Sequence, residues 1–378
     1  MGNKATLTAY TFAHFSVDFS CFFILYAAVV PGLPLAWASF GFLLYSTLAF
    51  GLQVLIGAWI DRFPRLPAAP LGCVLLLAAL PLVAFPWPAI VLAGLGNAFF
   101  HVGGGVDALA GANGKMARSG VFVSSGALGV SFGTLAGRSA GTLLWLPIVF
   151  TVLSLAVCVL AQRQPLYKKP FYAFFSTPAA IPAGAVVALC LVSIIIRAYG
   201  GGIIPLPWRS TAWLGLLPGV AACLGKAAGG FLADRFGART VGVATLLCSI
   251  PLLCFGNSLP ATALLGLFLF NINMPITLCA IAGVLPESPG LSFGLTTLGL
   301  LLGTVPLYLF ARQTTALAST IAVLTAVSAL CLLLAAPGRQ NLALRSKTSR
   351  STPWGNFATP GEANGKAVQL SRKREQGE

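Results

Sequence analysis

The chain has 378 residues, of which 57% are apolar and only 8% charged, and its mean hydropathy is +0.89. That balance excludes a soluble globular domain. The 23 basic and 8 acidic residues give a formal charge of +15, but the basic residues are spread over alternate polar breaks and a tail, which argues for membrane orientation and against a nucleic-acid partner.

Taken in order, the first apolar stretch follows the short head MGNK, has no small-residue cleavage site, and is interrupted by His14 and Asp18. It is predicted to be a membrane helix and not a removed signal. A helix of about 20 mostly apolar residues crosses the hydrocarbon core. On that measure spans are predicted at about 8–30, 36–60, 69–86, 88–110, 119–141 and 143–162, then 179–200, 210–232, 240–257, 260–285, 291–310 and 313–336. No strand-period alternation competes with them, so the expected class is an all-α bundle of twelve helices.

Lys4, Arg62, Arg65, Lys115, Arg118, Arg163, Lys168, Lys169, Arg235 and Arg239 fall in the head or in even-numbered connections, while the odd-numbered ones carry little beyond Arg209 and Arg312. Both termini are therefore expected in the cytoplasm. The predicted organisation is a six-helix bundle over 1–162, a cytoplasmic linker over 163–178, a second bundle over 179–336, and a basic, disordered tail over 337–378 suited to anionic lipid. The nine cysteines lie nearly all inside apolar segments without a CxxC pair, which reads as packing and gives no disulfide or zinc framework.

The chain repeats itself. Gly57-Ala-Trp-Ile-Asp61-Arg62-Phe63 returns as Gly230-Phe-Leu-Ala-Asp234-Arg235-Phe236, an offset of 230 − 57 = 173. The glycines Gly120, Gly129 and Gly133 return as Gly290, Gly299 and Gly303 at 170, and Asn97 returns as Asn271 at 174. Three matches at nearly one offset indicate a duplicated six-helix unit.

Two parallel six-helix repeats with Gly-x-x-x-Asp-Arg after the second helix of each resemble the major facilitator superfamily. Within it, GNAFFHVGGG followed by SGVFVSSGALGVSFG is similar to the fosmidomycin-resistance-like branch of bacterial exporters. The resemblance implies secondary transport in a bacterial inner membrane, by rocking of two halves about a central cavity, commonly driven by protons. It also implies that Gly120, Gly129, Gly133 and Gly137 form an antiporter-type fifth helix, although Thr134 and Arg138 stand where that motif has proline and glycine. Likewise Pro64 stands where the first loop motif has its usual glycine.

Several residues are candidates for chemistry. Asp61-Arg62 and Asp234-Arg235, with Arg239, are expected to latch the cytoplasmic end by capping a neighbouring helix. Gly129, Gly133 and Gly137, and Gly299 and Gly303 in the second copy, permit close helix approach. His14 and Asp18 are four apart, so their directions differ by about 40° and both can face one cavity. Asp18 falls about 15 Å along its helix, near the midplane, where a carboxylate is costly and suits proton carriage. The bland alternative is neutralisation by a permanent partner such as His14. Histidine as a residue type suits proton coupling, and His101 is expected in the cavity, whereas Asp107, about 240° further round the helix, is expected to pair with Lys115 or Arg118.

Arg138, Arg197 and Lys226 are cations at or within the spans and, with Asn97, Asn271 and Asn273, would favour an anionic or zwitterionic solute between the halves, near the fifth, seventh and tenth helices. No enzyme pattern, Walker loop, metal cluster or dinucleotide loop emerges, so no cofactor and no metal is expected. The resulting expectation is a proton-coupled transporter of a small organic solute, an exporter before a nutrient, metabolite or siderophore importer. It would act as a monomer whose partners are solute, protons and lipid. A transporter-like sensor or membrane scaffold is the reading outside transport.

Overall fold

The computed structural model describes residues 3–64, 66–138, 142–162, 181–209, 211, 213–310 and 318–338. The predicted linker over 163–178, the tail from 339, and Arg65 and Arg312 lie outside these residues.

Among the described residues, eleven helices are long and apolar enough to cross a membrane: α1 (Lys4–Gly32), α2 (Leu35–Arg62), α4 (Pro86–Ala112), α5 (Met116–Gly137), α6 (Trp145–Gln162), α7 (Ala183–Ile203), α8 (Leu214–Phe236), α9 (Ala238–Phe255), α10 (Pro260–Val284), α11 (Pro289–Leu309) and α12 (Ala318–Ala335). A shorter apolar helix, α3 (Ala68–Leu82), completes the predicted order. Its last turn tightens at Leu80–Leu82 around Pro81, and Pro86 opens α4, where a missing N–H costs nothing. The chain is thus a multi-pass membrane protein, and no strand occurs among the described residues.

The helices end where backbone chemistry ends them. Asn113 and Gly114 adopt φ of 51° and 73° after α4, a left-handed stop. The two copies of the loop motif terminate differently. After α8 the chain turns through Gly237 at φ 95°, whereas Pro64 disfavours a helical Phe63, and the chain leaves α2 at φ −124°, ψ 72°.

Glycines set the closest helix contacts. A Cβ at Gly133 would overlap the Phe19 carbonyl oxygen and lie 2.9 Å from Phe19 Cα, and one at Gly137 would lie 2.6 Å from the Phe23 carbonyl oxygen. The fifth helix is therefore pressed onto α1, backbone to backbone. The repeat does the same: a Cβ at Gly299 would meet Ile194 Cγ2 at 2.9 Å, and one at Gly303 would overlap the Ile195 carbonyl oxygen and meet Ala198 Cβ at 2.6 Å, both on α7. Duplication of sequence is here duplication of packing.

Candidate functional site

The repeated acids join opposite halves. Asp61, at the end of α2, accepts the N–H groups of Gly290 and Leu291 at 2.8 Å each. Asp234, at the end of α8, accepts those of Met116 and Ala117 at 2.9 and 3.0 Å. Each carboxylate therefore occupies the N-terminus of the other half's fifth helix, where unsatisfied donors and the helix dipole favour an anion. Gly57 and Gly230 make room for this, since a Cβ on either would strike the same helix starts. Asp61 is buried while Asp234 is exposed. The arginines of the motif do not join these contacts: Arg62 is exposed, Arg235 lies 5.4 Å over the Phe236 ring, and Arg239 donates to the Ala336 carbonyl at 3.0 Å.

Deep in the first half, α1 and α4 bring together three residues that are up to 87 positions apart (101 − 14). His14 Nε2 lies 3.3 Å from Asp18 Oδ2, and His101 Nε2 lies 3.5 Å from Asp18 Oδ1. The two imidazoles meet edge to face with centroids 4.6 Å apart. Asn97 donates Nδ2–H to Asp18 Oδ1 at 3.1 Å. Exposure of the three is 5 to 7%.

The hydrogen-bond arithmetic of this cluster is informative. His14 Nδ1 lies 2.8 Å from the Phe122 carbonyl and His101 Nδ1 lies 2.9 Å from the Asn97 carbonyl. A carbonyl only accepts, so both Nδ1 atoms carry hydrogen. In the neutral tautomer each Nε2 then presents a lone pair to a carboxylate oxygen. Neither Nε2 to oxygen contact is a hydrogen bond until a proton is added there. With no added proton the cluster carries −1, with one it is neutral, and with two it carries +1. The backbone need not move between these states. The three donor atoms also lie within 4.8 Å of one another, so the same residues could hold a divalent cation. The sequence expectation of no metal cluster missed this grouping because His101 belongs to a different helix.

Gly126 completes the cluster and was not singled out from the sequence. A Cβ there would overlap Asp18 Oδ2 and stand 2.5 Å from His14 Nε2. The signal was present, since Gly126, Gly129 and Gly133 follow i, i+3, i+7 spacing on one face of α5.

Asp107 stands apart from the cluster. It accepts a hydrogen bond from the Tyr10 hydroxyl at 2.9 Å, while Arg118 donates to the Gly111 carbonyl at 2.8 Å. Asp107 thus meets a hydroxyl on α1, and the Arg118 bond goes to backbone.

The predicted cavity cations separate. Arg138 is exposed at the end of α5, 5.2 Å over the Tyr26 ring, which is an interfacial placement. Arg197, Lys226 and Asn271 instead line one cavity of about 130 Å³ together with Phe270, Met274 and Leu300. Its walls are α7, α8, α10 and α11, so α5 does not line it as expected. α10 is interrupted beside it, between Pro260–Asn271 and Asn273–Val284. Asn273 lies outside this cavity, facing α9, with Nδ2 3.4 Å from Thr245 Oγ1. Asn97 belongs to the first-half cluster.

No protein-family model and no curated protein sequence matches the chain. Solved structures do. The fold is that of the major facilitator transporters. The human organic anion transporter MFSD10 is similar at 15% identity and a TM-score of 0.59, over 88% of this chain and 99% of that one. The E. coli fucose:proton symporter FucP is similar at 13% identity and a TM-score of 0.55, over 88% and 96%. A bacterial homologue of the iron transporter ferroportin is similar at 17% identity and a TM-score of 0.54, over 89% and 97%.

Proposed function

We propose that this chain is a proton-coupled secondary transporter of a small organic solute, working by alternating access in a bacterial inner membrane with both termini in the cytoplasm. The observation that carries the reading is the buried His14–Asp18–His101 cluster, whose fixed Nδ1–H tautomers leave two central positions for added protons. Asp18 with His14 or His101 holds the coupling proton. Asp61 and Asp234 latch the cytoplasmic end, and both latches are made in this conformation. Release of either frees two helix-terminal amides, which water must then satisfy as that end opens.

Transport, as opposed to sensing or scaffolding, is supported by two latches joining opposite halves and by titratable groups kept at membrane depth, where an ionised residue costs about 3 kcal/mol on insertion scales. The fold points the same way, since the neighbours named above are transporters of fucose with protons, of organic anions, and in one case a homologue of an iron transporter. The exporter-like fifth helix favours outward movement, but its glycines are accounted for by packing on α1, and the same packing recurs in α11. Direction is therefore assigned by experiment: uptake and efflux respond oppositely to pH gradients of each sign across proteoliposomes. The reading requires flux that follows the gradient and is lost in Asp18→Asn. Gradient-driven flux surviving in that variant would overturn the role of Asp18, and a stoichiometric divalent metal retained through purification would reassign the cluster.

A further inference from the structure

The cavity in the second half contains two basic side chains and an amide. Arg197 is buried, with 8% exposure. One of its terminal nitrogens donates to Thr277 Oγ1 at 3.1 Å, and Thr277 passes the interaction on by donating to the Asn273 carbonyl at 3.1 Å. This holds the guanidinium from one side, while its buried Nε–H has no hydrogen-bond partner. Lys226 shares the cavity from α8, and Asn271 faces it from the break in α10.

An acid would ordinarily complete such a pair of cations. The acids of the chain are Asp18, Asp61, Asp107, Asp234, Glu287, Glu362, Glu375 and Glu378. Asp18 is held by two histidines and Asn97, Asp61 and Asp234 by helix N-termini, and Asp107 by Tyr10. Glu287 is exposed in the connection between α10 and α11, and the last three lie outside the described residues. None of the described acids lines the cavity.

We infer that Arg197, Lys226 and Asn271 form the recognition site for the oxyanion group, a carboxylate or a phosphate or phosphonate, of the transported solute. A guanidinium with a free Nε–H offers the planar fork that such oxygens match in pairs, an ammonium adds a point charge, and an amide adds a donor. Phe270, Met274 and Leu300 supply an apolar wall, and about 130 Å³ admits a head group and a few carbon atoms. Arg197 is a binding residue in this assignment and Thr277 a positioning residue. The inference rests on the transport reading only in identifying the bound anion as cargo; the binding itself is testable without flux.

The test uses the purified full chain in lipid nanodiscs and isothermal titration calorimetry. Benzoate, succinate, inorganic phosphate and methylphosphonate are the probes, and glycerol and tetramethylammonium are the neutral and cationic controls. At least one oxyanion is expected to bind, neither control is, and the winning probe tells carboxylate from phosphorus oxyanion. Arg197→Gln and Lys226→Gln should each weaken that binding at least tenfold, and Lys226→Gln keeps the test valid if the arginine variant does not fold. Thr277→Val, read with Arg197 intact, should weaken binding by a smaller factor. Failure of all four oxyanions to bind, or binding unchanged in Lys226→Gln, overturns the site. Oxyanion binding lost in the variants but never accompanied by flux in proteoliposomes sustains the site and sinks the transport reading. Flux of another solute, unaffected by either variant, does the reverse.

Discussion

The two halves of this protein share their packing and differ in their chemistry. Both press a glycine face of the fifth helix onto the first, and both place an aspartate on the opposite half's fifth helix. Yet the first half holds a His–Asp–His cluster with room for protons, and the second holds a cavity with two cations and, among the described residues, no acid. The repeat-related pair Asn97 and Asn271 shows the division most simply. One donates to Asp18, and the other lines the cation cavity. What duplication preserved is the packing and the aspartate contacts between halves, and what diverged is the group each half carries.

Variants can break that comparison at several levels. The largest effect is expected from Asp18→Asn, which should reduce gradient-driven flux to background while the purified protein keeps its thermal stability or gains some, because a carboxylate leaves the membrane interior. Gly126→Ala comes next. It forces a methyl group against Asp18 and His14, costs about 1–3 kcal/mol of overpacking, and should alter the pH profile of transport more than solute affinity.

The latches provide an internal comparison of smaller size. Asp61→Asn removes charge-assisted bonds from a buried site and should shift the conformational equilibrium by about 2 kcal/mol, roughly thirtyfold. Asp234→Asn, at the more exposed latch, should shift it less. Accessibility of a cysteine introduced near the cytoplasmic end of α5 reports both, and equal effects would mean that burial does not set latch strength. At the small end, Asn273→Ala should change solute affinity by less than about 1 kcal/mol, since its bond to Thr245 is long and faces α9. Asn271→Ala should cost about tenfold in solute affinity.

The helices were legible from the sequence because membrane spans are read from length and hydropathy, quantities local to each segment. The latches were legible because the duplication repeats them, and the structure places Asp61 and Asp234 at the helix starts where an acid would be expected. The His14–Asp18 pair was visible from its spacing on one helix. Its junction with His101, the contribution of Gly126 and the cavity formed by Arg197 with Lys226 were not. They depend on how helices distant in the chain pack, which no single-helix periodicity contains. The pairing of Asp107 with Tyr10 was hidden for the same reason, since a tyrosine on α1 gives no local sign of its partner on α4. Asn273 shows the converse error: two residues from Asn271, across the break in α10, the side chain turns to α9.

The division of labour between the halves is tested most directly by solute exchange and net flux in the same proteoliposomes. In Asp18→Asn, equilibrium exchange of labelled solute across the membrane should persist while accumulation driven by a pH gradient is lost, because the second half still binds and rocks but no proton is coupled. Accumulation retained in that variant would place the proton elsewhere, and loss of exchange together with accumulation would show that the cluster and the cavity are one site after all.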